Sequence, residues 1–116
     1  MLSKSYRERI KNLNVGDNVT VYDTYCNNLE RMRLCTDNVE KVGRDYIYVN
    51  KSKYTKNEGY GDYSKQLFPG TKNEFIDWFN NRSEARRIAA DLNRYSDCLS
   101  PEDVTVLKDI LERIKP

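Results

Sequence analysis

The hydrophobic period of this chain changes partway along it, and that change limits the fold more than any other feature. In short stretches between Val19 and Val49, such as "VTVY", "RMRL" and "YIYV", apolar side chains alternate, whereas from Phe75 to Tyr95 they follow a helical period. Pro69-Gly70 stands between the two regimes. A period of two buries one face of a strand, and a period of 3.6 buries one stripe of a helix. A run of strands followed by a run of helices predicts an α+β chain, not a βαβ repeat.

In the first half, "NVGDNVTVYDT" places Val19 and Val21 on one face and Thr20 and Tyr22 on the other, with Gly16-Asp17 marking the entry turn. "RMRLCT" predicts a second strand with Met32 and Leu34 inward and Arg31 and Arg33 outward. In "YIYVN", Ile47 and Val49 oppose Tyr46 and Tyr48, and Gly43 suits the positive φ of a tight connection before them. Lys53–Tyr54 and Lys65–Phe68 supply the fourth and fifth strands. Closing them on the first three would hide the sheet edges.

Helices flank this region. Tyr6, Ile10 and Leu13 share one face of a basic N-terminal helix, which is too short to persist unless it docks. Thr71 and Glu74 fit a capping box at the start of a long helix. Its stripe runs through Phe75, Trp78, Phe79, Ala85, Ile88, Ala89, Leu92 and Tyr95. Ser100-Pro101-Glu102-Asp103 opens a last helix, with Val104, Leu107, Ile110, Leu111 and Ile114 on its apolar face. The expectation is a single domain over residues 1–116. It consists of an N-terminal helix over 1–13, a small, strongly bent antiparallel β-barrel of four to five strands over 14–70, and a helical hairpin over 71–116.

The chemistry available is narrow. The 116 residues contain no histidine, which removes the commonest general base and the commonest metal ligand. Cys26, Cys35 and Cys98 form no Cys-x-x-Cys pair, and "GYG" at Gly59–Gly61 lacks the lysine and helix of a phosphate loop. Asp23, Asp45 and Asp62 carry no sequence signal that would pair them for acid–base work. We therefore expect a protein that is not an enzyme, with no cofactor and no metal. Twenty bases against eighteen acids give a net charge of +2, too even to call for nucleic acid. No apolar run approaches the roughly 20 residues of a membrane span. An odd number of widely spaced cysteines fits a reduced, cytoplasmic setting.

What remains is binding. Nine tyrosines stand against three phenylalanines and one tryptophan, and tyrosine pairs a flat apolar face with a polar tip. Tyr22, Tyr46 and Tyr48 fall opposite the valines, either as a binding face or as core beneath the helical hairpin. The segment "KYTKNEGYGDYSKQLF" combines lysines, tyrosines and two glycines. It reads either as a ligand loop or as an edge strand guarded by its lysines. The candidate binding residues are Arg31, Arg33, Lys53, Tyr54, Lys56, Tyr60, Tyr63 and Lys65. In these, cations would hold phosphates while rings stack on bases.

"NVGDNVTVYD", "NVEKVGRDYIYVN", "QLFP" and "LSPEDVTVLKDILERI" together resemble small β-barrel proteins of unassigned function encoded by phages and prophages of Firmicutes. Gly43, Arg44, Tyr46, Leu67 and Phe68 match that pattern. The resemblance implies an accessory protein that counters host immunity in the bacterial cytoplasm. It would act as an anti-CBASS- or anti-Thoeris-like sponge for a cyclic nucleotide, in a homo-oligomer. The alternatives are an anti-CRISPR-like inhibitor that binds a host defence protein, or a nucleic-acid-binding module.

Overall fold

The computed structural model describes residues 2–115. Helix α1 (Lys4–Lys11) is followed by strands β1 (Asn18–Asp23), β2 (Cys35–Asn38), β3 (Lys41–Val42), β4 (Tyr46–Val49), β5 (Ser52–Thr55) and β6 (Lys65–Phe68). Helix α2 (Lys72–Arg94), a 3-10 turn (Ser96–Cys98) and helix α3 (Pro101–Ile114) complete the chain. The α+β expectation holds. The six strands pair as two three-stranded antiparallel sheets, ordered β2-β1-β6 and β3-β4-β5. Among the described residues, the ladders do not join into one closed barrel.

Two backbone connections tie the sheets together. On one side the chain bends at Val39–Glu40: Val39 N–H donates to Asp17 O at 3.0 Å in the first sheet, and Glu40 N–H donates to Tyr48 O at 2.8 Å in the second. On the other side, Tyr60 bridges Gln66, and Leu67 N–H donates to Gly59 O at 2.8 Å. The lysine- and tyrosine-rich segment thus lies along β6.

Contacts divide the chain into two compact units, one ending at Trp78 and one beginning at Phe79. In the first, β1 is covered on both faces. Val19 and Thr20 are fully buried and Tyr22 is 3% exposed. Five rings meet over one of these faces. Phe68 lies 5.9 Å from Tyr6, 5.5 Å from Phe75 and 5.5 Å from Trp78, and Tyr22 stacks 4.7 Å from Phe75. Their polar tips are satisfied: Tyr6 Oη donates to Leu67 O, and Tyr22 Oη donates to Gln66 Oε1 at 3.0 Å. α1 docks through Tyr6, Ile10 and Leu13, as its spacing predicts.

Several sequence expectations change. Residues Arg31–Leu34 precede β2 instead of forming it. Asn28 draws them into a turn, accepting the Met32 amide on its backbone oxygen and the Glu30 amide on its side chain, both at 3.0 Å. Such local side-chain bonds compete with a strand ladder. Met32 still points inward, at 9% exposure. Gly43 does not take a positive φ. It still makes the β3–β4 connection, its N–H donating to Tyr46 O at 2.8 Å, and the left-handed pair falls at the next turn, β4–β5, where Asn50 and Lys51 have φ 47° and 61°, the pattern of a two-residue hairpin turn. Tyr22 does not share a surface with Tyr46 and Tyr48: it is core, while Tyr46 stands 36% exposed on the outer face of the second sheet.

In the second unit, the stripes predicted to be buried are not. Phe75, within the first unit, is the only buried residue of α2 among those described, and α3 has none. Nor do α2 and α3 lie against each other along their length as a closed hairpin would. The caps are as expected. Thr71 and Glu74 exchange bonds at 3.3 and 3.1 Å, and Ser100 and Asp103 do so at 3.1 and 3.0 Å.

Phe75→Ala should destabilise the protein by about 3–5 kcal/mol, the usual cost of deleting a buried ring. Chemical denaturation followed by Trp78 fluorescence checks it, and a loss below about 1 kcal/mol would contradict the ring cluster as core. Glu74 is held below its ordinary carboxyl range, chiefly by the Thr71 backbone amide, then by the Thr71 hydroxyl and the Arg9 charge. A lowered folded-state value adds stability above the unfolded carboxyl value and loses it as pH falls through the folded one. Glu74→Gln should therefore be less stable than wild type at neutral pH, by under about 1 kcal/mol for so exposed a group. The gap should close below about pH 4.3, as read by thermal melts across pH.

Candidate functional site

The segment Lys53–Phe68 is held by its glycines. Gly59 is buried with φ 74°, and a Cβ there would sit 3.2 Å from Ile10 Cδ1 and 3.2 Å from Leu67 Cβ. A Cβ on Gly61 would meet the Tyr54 ring at 2.5 Å. The glycines therefore serve close packing of the loop onto β6 and Tyr54. Tyr63 and Ser64 are both left-handed, at φ 55° and 63°, and lead the turn into β6. That turn leaves Tyr63 91% exposed.

Between the sheets lies a cavity of about 370 Å³. β1 contributes Val21, Tyr22 and Asp23; β2 and the residues before it contribute Arg33, Cys35 and Asp37. Val49, Asn50, Ser52 and Tyr54 come from the β4–β5 hairpin, and Tyr63 and Lys65 from the turn into β6. The strand registers bring these groups together, pairing Val21 with Cys35 and Asp23 with Lys65.

Of the eight candidate residues, Arg33, Tyr54, Tyr63 and Lys65 line this cavity and the other four do not. Lys53 lies over the Tyr46 ring at 4.5 Å, and Lys56 Nζ donates to Gly43 O at 3.2 Å. Tyr60 is 48% exposed, and Arg31 is exposed beside the Asn28 turn. Lys53 and Lys56 thus serve the sheet. Sequence reasoning missed Cys35, Asp37 and Ser52 as lining residues and left Asp23 without a partner. The β1–β2 and β1–β6 registers, which no local pattern reveals, place them there.

The cavity's charges compensate. Arg33 and Lys65 face Asp23 and Asp37 across the same space. A site for a doubly anionic nucleotide needs uncompensated cations, and this one has none in excess. Tyr54 is 3% exposed, and its phenol is pushed above its ordinary value, first by burial and then by the negative charge of Cys35, Asp62 and Asp37. Among the described residues, no three histidine, cysteine or acidic side chains gather as a metal site, and no helix is long and apolar enough to cross a membrane.

The geometry defines a small α+β protein built around a charge-balanced inter-sheet cavity. The profile of one protein family, spore coat protein (Spore_GerQ), matches residues 2–60, just over half the chain, and the chain belongs to that family. No curated protein and no solved structure matches it. The family match overturns the resemblance to phage and prophage β-barrel proteins. The anti-defence role falls with it, whether as a cyclic nucleotide sponge, an inhibitor of a host defence enzyme or a nucleic-acid module. The quoted motifs misled because they record strand entries, a hairpin and helix caps, which unrelated small β proteins share. The compensated cavity is the physical counterpart of that correction.

A raised folded-state phenol adds stability fully present below the unfolded value near 10 and loses it as pH climbs through the folded one. Tyr54→Phe, which has no phenol to ionise, should therefore lose less stability than wild type above about pH 10. In an alkaline absorbance titration, the wild-type minus variant difference should show a phenol ionising later than free tyrosine. A difference curve centred at the free-tyrosine value would contradict the burial of Tyr54.

Proposed function

We propose that the protein is a non-catalytic structural component of the spore coat. The match of residues 2–60 to the spore coat family carries this reading. The sequence supports the non-catalytic part: it lacks histidine, so the usual imidazole base is missing. In this reading the two joined sheets form a compact, barrel-like body suited to packing within a protein layer, and the protein resides in the coat.

The test is fractionation. A tagged copy produced during sporulation in a spore-forming host should be recovered from mature spores in the coat extract. A fluorescent fusion should outline the spore periphery. Recovery confined to the spore core or to the cytosol of vegetative cells overturns the proposal.

A further inference from the structure

Seven of the twelve exposed large hydrophobic residues among those described fall between Ile88 and Ile114, beyond the segment matched by the family profile. On α3, Val104, Leu107, Ile110, Leu111 and Ile114 occupy one arc of the helix, and none is buried. On α2, Ile88 and Leu92 continue with Tyr95 along a second stripe. Together with Leu99 they border a groove of about 280 Å³ at the end of the helix. Contiguous apolar surface of this kind marks an interaction site.

The charges indicate what covers it. From Phe79 to Arg94, α2 carries Arg82, Arg86, Arg87 and Arg94 against Glu84 and Asp91, a net +2. α3 carries Glu102, Asp103, Asp109 and Glu112 against Lys108 and Arg113, a net −2. The whole unit from Phe79 onward holds seven basic and seven acidic side chains. Two copies therefore meet without net repulsion, and each helix finds its opposite charge on the other copy. The lengths also match: at 1.5 Å per residue, α3 spans roughly 21 Å and residues 79–94 of α2 roughly 24 Å.

We propose that this unit is a self-association element in which α2 of one copy packs on α3 of a second and α3 on its α2, forming a two-fold four-helix interface. Such an interface is self-complementary, as two-fold symmetry requires. The apolar stripes fill its centre in the manner of a helix bundle, and the partner's α3 takes the groove beside Tyr95.

Sedimentation equilibrium on the full chain, from micromolar to hundreds of micromolar, tests the pairing. The expected mass at the upper end is twice the chain's 13.7 kDa. A chain that stays at 13.7 kDa throughout overturns the proposal, and so does a defined assembly larger than two copies. Leu111→Lys should weaken the dimer more than about tenfold. Far-ultraviolet dichroism should show the helix content of α2 and α3 unchanged, which separates lost pairing from lost folding. Two charge-reversed chains test the arrangement itself. Arg86→Glu with Arg87→Glu makes both helices net negative, and Asp109→Lys with Glu112→Lys makes both net positive. Each should be monomeric alone, and the two should dimerise when mixed. Self-association of either at wild-type strength overturns the α2-on-α3 arrangement. A wild-type monomer that binds a different coat protein through this face would assign the surface to that protein instead. The pairing and the coat location fail separately, because a monomer found in the coat sinks only the pairing and a dimer absent from the coat sinks only the location.

Discussion

The packing of Phe68 against Tyr6, Phe75 and Trp78 is the contact on which the first unit depends. It joins α1, the last strand of one sheet and the first two turns of α2, with Tyr22 of β1 closing the cluster, so that the start of the chain meets residues more than fifty positions on. α1, at eight residues, is well below the length at which an isolated helix persists. β6 lies at the edge of its sheet, and its Phe68 would otherwise face water. The bonds from Tyr6 Oη to Leu67 O and from Tyr22 Oη to Gln66 Oε1 explain why two members of the cluster are tyrosines. A phenol can fill apolar volume and still satisfy a strand's polar groups where phenylalanine would leave them unpaired.

The same economy governs the cavity between the sheets. Its four charged groups come from three separate stretches of chain, and the strand registers bring them into one small space. The two cations and two carboxylates leave the lining with no net charge, and both cations remain exposed to water. The high-lying Tyr54 phenol follows from the same setting. It is buried and faces acidic neighbours, so the proton stays on.

The architecture was legible wherever a rule is local. Alternation located β1 and β4, the Thr71–Glu74 and Ser100–Asp103 boxes located the helix starts, and Tyr6, Ile10 and Leu13 fixed the buried face of α1. Errors arose where a distant partner decides. Arg31 to Leu34 alternates like a strand, but Asn28 captures its amides first. Tyr22, Tyr46 and Tyr48 share an alternation parity, yet they sit on different sheets with different neighbours. Half of the candidate ligand residues share the cavity because β1 pairs with both β2 and β6, a fact of register that no window of sequence contains. Lys53 and Lys56 looked like ligand groups because composition cannot distinguish a lysine that stacks on Tyr46 or caps Gly43 O from one that waits for an anion.

The boundaries in this chain do not coincide, and the mismatch carries meaning. The family match ends at Tyr60, but the core of the first unit needs Phe68, Phe75 and Trp78, all beyond it. Eighteen further residues are thus required before the matched segment can exclude water from its own aromatic face. α2 runs without a break from the core into the second unit, so its first turns are fixed by packing and by the Thr71 cap while its later turns are held by helix continuity. Helix propensity alone gives only marginal stability over such lengths. The stripe of Ile88, Leu92 and Tyr95 therefore adds nothing to the fold of one isolated chain that α2's attachment to the core does not already supply. Its regular spacing, together with the matching stripe on α3, is intelligible as the surface by which one folded chain meets another.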